Sequence, residues 1–275
     1  MNVLIIGLGS IAKKHIEALH SLKLDFEIYA LRSKKNSKEY QGVTNLYNLE
    51  KANLVFDFAI ISNPTHLHIK YIEILMQRDV NLFIEKPPLH SLQGVENLIL
   101  KLKEKNISTY VACNLRFHPC ILFLKKYINE NNLKIINEVN IYCGSYLPDW
   151  HPYEDYTKGY AARDDLGGGI VLTCIHEIDY LYWILGDVKE VFSITGKFSN
   201  LKVTSDDMSA IILRFKNNVI GELHLDYFQR PNFKSCKIRG DKGVIHWNSD
   251  NNEVKIHLTN KKRWEKVLKL KNYER

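Results

Sequence analysis

Val3-Leu4-Ile5-Ile6-Gly7-Leu8-Gly9-Ser10-Ile11-Ala12 is an apolar strand that runs through a glycine turn into a helix. Its spacing is Gly-x-Gly-x-x-Ala. Gly7 permits the tight turn, Gly9 lets backbone approach a pyrophosphate, and Ala12 is small enough for the helix to pack closely on the strand. The first N–H groups of that helix, at Ser10 and Ile11, are free to meet phosphate. A glycine pattern alone is weak. A strand before it and a helix after it are the context that gives it meaning, and here both are present.

Reading outward, strands and helices alternate. A helix is expected over 11–22 with Ile11, His15, Ala18, Leu19 and Leu22 on its apolar side, then a strand over 26–31. Further strands are expected at 55–62, 80–84 and 108–113, with helices at 66–77 and 94–104 between them. That alternation predicts a parallel, doubly wound Rossmann sheet over residues 1–117. Ligands of such sheets bind beyond the carboxyl ends of the strands, so Gly7, Asn63, Lys86 and Asn114, which all follow strand ends, are expected to converge.

The pattern changes after 117. A helix at 119–129 and a strand at 135–146 lead into an aromatic, polar loop over 147–166. Gly167-Gly168-Gly169 then precedes a helix over 170–185. Successive strands follow at 190–199, 208–215, 219–227, 233–239, 243–248, 253–258 and 263–269, with Asn217-Asn218 and Asp241-Lys242-Gly243 as hairpin turns. Residues 118–275 are therefore expected to form an α+β domain with a large, mostly antiparallel open sheet.

Composition agrees with a soluble protein: of 275 residues, 45% are hydrophobic and 25% charged. The five cysteines are scattered, so neither a zinc site nor a disulfide framework is expected, and a cytoplasmic protein with reduced thiols is the reading. No secretory signal and no membrane span are expected. The net charge of +7, from 38 basic and 31 acidic residues, suits an anionic small-molecule partner or a solvated surface. No basic block with interleaved aromatics points to nucleic acid.

Several residues are candidates for chemistry. The chain after the second strand reads Tyr29-Ala30-Leu31-Arg32-Ser33-Lys34-Lys35, with no acid to hold ribose hydroxyls. Arg32 and Ser33 suit a 2′-phosphate instead, which favours NADP(H) and leaves NAD(H) as the second option. Lys86, between Glu85 and Pro87, stands where it could polarise a substrate oxygen, with Glu85 orienting it. Thr173, His176, Glu177 and Tyr180 occupy neighbouring faces of one helix, and His176 could shuttle a hydroxyl proton.

Taken in order, Gly7–His15, Ser62-Asn63-Pro64-Thr65-His66-Leu67-His68, Glu85-Lys86-Pro87, Asn114-Leu115-Arg116-Phe117-His118-Pro119, the three glycines and His176-Glu177-Ile178-Asp179-Tyr180 resemble the glucose-fructose oxidoreductase/inositol dehydrogenase (Gfo/Idh/MocA) family. The resemblance implies a dehydrogenase or reductase that exchanges hydride between NAD(P) and a sugar or nucleotide-sugar carbon, with a place in surface-glycan synthesis. It implies a homo-oligomer, dimer or tetramer, supported by the open sheet. Lys86 and His176 would be catalytic. Gly7, Gly9, Ser10, Ile11, Arg32, Ser33, Ser62, Asn63, Pro64, His66, Glu85, Lys86 and Asn114 would serve the cofactor. Arg116, His118, Tyr146, Trp150, Arg163, Thr173 and His176 would face the substrate, with His151 and Tyr156 on the same loop. One departure is plain: Thr173 stands where the family commonly has an aspartate, and threonine cannot act as a carboxylate base. An imine or enone reductase, or a non-catalytic cofactor-sensing protein, remain alternatives on the same scaffold.

Overall fold

The computed structural model describes residues 1–36 and 38–270 and divides into two compact units. The first is Met1–Ala112 with Asp165–Gly167. The second is Cys113–Asp164 with Gly168 onward. The break thus comes a few residues before 117, and a short piece of the 147–166 loop groups with the first unit.

In the first unit, β1 (Asn2–Ile6), β2 (Glu27–Leu31), β3 (Val43–Leu46), β4 (Phe58–Ile61), β5 (Asn81–Ile84) and β6 (Thr109–Val111) form one sheet in the order β3-β2-β1-β4-β5-β6. Every pairing is parallel. Helices α1 (Ser10–Ser21), α2 (His68–Met76) and α3 (Val95–Glu104) connect them. Val3 to Ile6 are all buried because both faces of the sheet are covered, which is why the strand reads as one apolar run. The phase of α1 differs from expectation. Ala12, Ile16 and Leu19 face the core, whereas Ile11 and Leu22 are exposed. The strand order reverses between β1 and β4, and a ligand crevice belongs at that switch.

Strand β3 was not expected from the sequence. Val43-Thr44-Asn45-Leu46 is a short, half-buried edge strand with too little apolar content to announce itself.

The second unit holds β7 (Ile136–Gly144), β8 (Val188–Gly196), β9 (Met208–Phe215), β10 (Ile220–Asp226), β11 (Phe233–Gly240), β12 (Gly243–Asn248), β13 (Glu253–Leu258) and β14 (Glu265–Lys269). Their order is β14-β13-β12-β11-β7-β10-β9-β8, antiparallel except where β7 and β10 run parallel. Helices α4 (Pro119–Asn129), α5 (Ile170–Thr173) and α6 (Ile175–Leu185) cover one face. Alternation along the strands sends Val139, Ile141, Ile211, Leu213, Leu223, Leu225, Ile245 and Trp247 into that core. Phe192 and Ile194 on the edge strand β8 and Ile212 on the neighbouring β9 stand exposed. The single helix expected over 170–185 is broken at Cys174, whose backbone (φ −94°, ψ 26°) interrupts the ladder. No helix among the described residues is long and apolar enough to cross a membrane.

Candidate functional site

The glycine turn sits at the switch point of the first sheet. Gly7 has φ +83°, and a Cβ there would lie 2.9 Å from Asn63 Cβ, so both conformation and contact demand glycine. Ser62 secures the turn: its N–H donates to the Ile6 carbonyl at 3.0 Å, and its Oγ lies 3.1 and 3.0 Å from the Ile6 and Gly7 carbonyls. Gly9 caps α1 in extended backbone, and a Cβ added to it meets no atom within 4 Å. No neighbour among the described residues requires glycine at that position. What glycine preserves is open space in front of the helix N-terminus. Beside it, both polar atoms of the Asn63 amide are buried without a hydrogen-bond partner. A buried amide left in that state is costly unless a ligand completes it.

These groups open on a cavity of about 900 Å³. Gly7, Gly9, Ser62, Asn63 and Pro64 form one end, and Arg32 and Ser33 are at the end of β2. Arg32 donates through Nη1 to Asn45 Oδ1 (3.0 Å) and to the Lys38 carbonyl (3.2 Å). Open room at Gly9, the unpartnered amide, helix N–H groups and a cation near the second strand together fit a dinucleotide's pyrophosphate and ribose.

Lys86 follows β5 and joins Pro87 through a cis peptide bond. Glu85 is already engaged. Its Oε1 lies 2.6 Å from His15 Nε2, and its Oε2 accepts the Lys86 backbone N–H at 3.2 Å. Glu85 therefore ties α1 to the lysine's loop, and its carboxylate holds that backbone in place. His68 performs a similar task. It is buried, with Nε2 2.8 Å from the Asn63 carbonyl and Nδ1 3.1 Å from that of Pro88, so it links the loops after β4 and β5. Desolvation lowers its pKa and favours the neutral ring, which carries one N–H and so donates to one of these two carbonyls while packing against the other. His66 lies 3.4 Å from the Leu166 carbonyl through Nδ1. The sequence puts His15 on the apolar side of α1 and His68 in the run after β4, but neither position alone shows the bonds these rings make. For His15 the signal is spacing, since it lies three residues after Ala12 and beside Ile16 on α1.

In the second unit, His176 is half-buried on the first turn of α6, just after the break at Cys174. Its neighbour Glu177 is buried and paired with Lys234 of β11 at 2.8 Å. Burial pushes the Glu177 carboxyl up, but the Lys234 charge and hydrogen bond, His176 and the Cys143 thiol outweigh it, so the pKa falls below the usual carboxylate value. Thr173 is also buried, and its Oγ1 accepts the Tyr227 hydroxyl at 2.7 Å. A neutral pair thus stands at Thr173, where the resemblance described above leads one to expect a carboxylate. The scattered cysteines partly converge: Cys143, Cys174 and Glu177 bring their ligand atoms within 4.8 Å, with Lys234 already seated on the carboxylate.

Several expected substrate contacts are used internally. His118 is 2% exposed, packs near Trp247, and accepts the Cys120 N–H at 3.2 Å, so it caps α4. Arg116 forks onto Asp179 at 2.8 and 2.6 Å, so the expected substrate-facing guanidinium is held by a carboxylate of α6. Trp150 donates Nε1 to Ser145 Oγ at 2.9 Å and sets its ring edge-on to Tyr227. The Arg230 guanidinium lies 3.4 Å over the Tyr146 ring. Arg163 is half-buried at the end of a short helical turn, and Asn114 is exposed at the start of another in the second unit. A side chain at Gly168 would overlap the Tyr160 carbonyl, which explains the middle glycine of the triplet.

Comparison with known proteins agrees with this architecture. Residues 1–112 match the family described as "Oxidoreductase family, NAD-binding Rossmann fold", and residues 121–246 match "GFO/IDH/MocA C-terminal domain". The chain is similar to the myo-inositol 2-dehydrogenase of Thermotoga maritima, 26% identical over 263 residues, spanning 89% of this chain and 74% of that protein. It is 24% identical over 214 residues to the levoglucosan dehydrogenase of Pseudarthrobacter phenanthrenivorans, spanning 68% of this chain and 54% of the relative. The fold is similar to that of the WlbA dehydrogenase from Bordetella pertussis in complex with NADH and UDP-GlcNAcA (TM-score 0.80, 18% identity, 90% of this chain and 78% of that one). The chain spans about half the length of several curated relatives it matches. With its two halves matched in order, the chain belongs to the Gfo/Idh/MocA family of oxidoreductases.

Proposed function

We propose that this protein binds a nicotinamide dinucleotide, NADP(H) in preference to NAD(H), and uses it to oxidise or reduce a hydroxyl or ketone carbon of a sugar or nucleotide-linked sugar. The observation that carries the reading is the Gly7–Gly9 turn, with open space at Gly9 and the unpartnered Asn63 amide beside it. Arg32 and Ser33 on the same cavity support the phosphorylated cofactor. Similarity to an inositol dehydrogenase, a levoglucosan dehydrogenase and a dehydrogenase solved with a UDP-sugar acid supports the substrate class.

The cofactor, when bound, supplies the hydride acceptor or donor. The protein's part is to position and to move a proton. Lys86 places an ammonium group on the substrate oxygen. His176 takes the hydroxyl proton in oxidation and returns it in reduction. Thr173 has no charge to offer, so the relay rests on Lys86 and His176. The exposed apolar residues Phe192, Ile194 and Ile212 support a homo-oligomer, dimer or tetramer.

The test is to follow nicotinamide absorbance with purified protein against inositols, anhydrosugars, uronic acids and UDP-sugars. Turnover is expected with at least one class, and Lys86→Met is expected to lower kcat/KM by about a hundredfold or more. Cofactor binding with no hydride exchange across the panel would sink the dehydrogenase reading. It would favour a non-catalytic, cofactor-sensing protein, the reading that the neutral Thr173–Tyr227 pair keeps open.

A further inference from the structure

We propose that Asn45 sets cofactor specificity from the neighbouring strand, by holding Arg32 so that its guanidinium reads the 2′-phosphate of NADP(H). Arg32 follows the last residue of β2, and β3 fixes it twice. Its backbone N–H donates to the Leu46 carbonyl at 2.8 Å, and its Nη1 donates to Asn45 Oδ1 at 3.0 Å. Asn45 pairs with Ala30 in the parallel register, which sets its side chain beside the end of β2.

The remaining Nη1 contact is the Lys38 carbonyl at 3.2 Å. Nε and Nη2 make no hydrogen bond among the described residues, and Arg32 lines the cavity that begins at the glycine turn. An arginine has five N–H donors in a planar fork, so one edge can be anchored while the other meets an anion.

The chemistry of the anchors matters. Both acceptors are neutral, so the full positive charge is kept for the ligand. A carboxylate at position 45 would hold the guanidinium equally well but cancel its charge. Pre-holding the side chain also removes most of the rotamer freedom that binding would otherwise have to freeze. Arg116 is the contrast within the same chain: forked on Asp179, it is neutralised by its anchor.

This inference rests on reading the cavity as an NADP(H) site, and the experiment separates the two. Dissociation constants for NADPH and NADH are measured by calorimetry on the wild-type protein and on Arg32→Ala, Asn45→Ala and Asn45→Asp. The wild type is expected to favour NADPH, and Arg32→Ala to erase that preference. Asn45→Ala is expected to weaken NADPH by about tenfold, one hydrogen bond to a charged group, with NADH changed less than about twofold. Asn45→Asp, which keeps the shape and the acceptor, is expected to weaken NADPH at least as much. A purely structural asparagine would instead be rescued by the isosteric aspartate, or its loss would weaken both cofactors alike. Either result overturns the role of Asn45 while leaving the NADP(H) site intact. A wild type without NADPH preference, or an Arg32→Ala variant that loses both cofactors equally, overturns the site reading and the inference with it.

Discussion

Gly7 and Gly9 make opposite demands, though the sequence writes them alike. At Gly7 the protein itself refuses a side chain, through a positive φ and the Asn63 contact. At Gly9 nothing among the described residues does. Gly7→Ala is therefore expected to cost on the order of 1–3 kcal/mol of stability. Gly9→Ala should fold with a change of under about 1 kcal/mol yet lose NADPH affinity by tenfold or more, because its methyl group enters the space kept for phosphate. Urea denaturation and fluorescence titration of both variants check this. A Gly9→Ala protein that binds like wild type would remove the dinucleotide from this cavity. Thr173 shows the same point from the other side. What decides its role is the Tyr227 hydroxyl it accepts, a partner far along the chain.

Helix α4 starts with His118 as its cap. His118 precedes Pro119 at the first helical position, and its Nδ1 takes the Cys120 N–H. An uncapped N–H at a buried helix start is a liability. His118→Ala is expected to lower stability by about 1–3 kcal/mol, from the lost cap and the lost packing near Trp247, while KM for the substrate stays unchanged. His118→Asn, which keeps a short acceptor, should recover part of the loss. Chemical denaturation and steady-state kinetics check it, and a raised KM at wild-type stability would return His118 to the substrate wall. Strand β3 is the second case of an element whose value lies in its neighbours. It adds an edge to the sheet and, through Asn45 and Leu46, holds Arg32.

Among its described residues, the second unit contains five carboxyls held below their usual range: Asp155, Asp187 and Glu253, lowered chiefly by hydrogen bonds, and Glu177 and Asp226, where hydrogen bonds and charge outweigh burial. Hydrogen bonds from Lys255 and Lys266, at 2.6 and 2.9 Å, lower Glu253 to about 2, and the Lys266 contact fastens the last strand, β14, to β13. Because the folded pKa lies below the unfolded value of about 4.3, this stabilisation is complete above that value and is lost as pH falls towards about 2. Glu253→Gln is thus expected to melt below wild type at neutral pH, with the gap closing as the pH approaches the folded pKa. Calorimetric scans across that range test it, and a gap independent of pH would refute the charge argument.

The alternation of strands and helices, the glycine turn and the division into a parallel and a mostly antiparallel sheet were legible in the chain because each depends on short-range order. Periodicity over a few residues decides whether a segment buries one face or two, and the Gly7 turn is a local backbone requirement. Even the break near Cys174 and the phase of α1 are small departures within elements the sequence announced. The family motifs were legible for the same reason, as ordered short words. Partnership was not legible. Arg116 meets Asp179, Glu177 meets Lys234, Thr173 meets Tyr227 and Arg32 meets Asn45 only because distant strands and helices pack side by side. A side chain's type says what it can bond. Which bond it makes, and whether its charge is left for a ligand or cancelled within the protein, depends on what folding brings within about 3 Å.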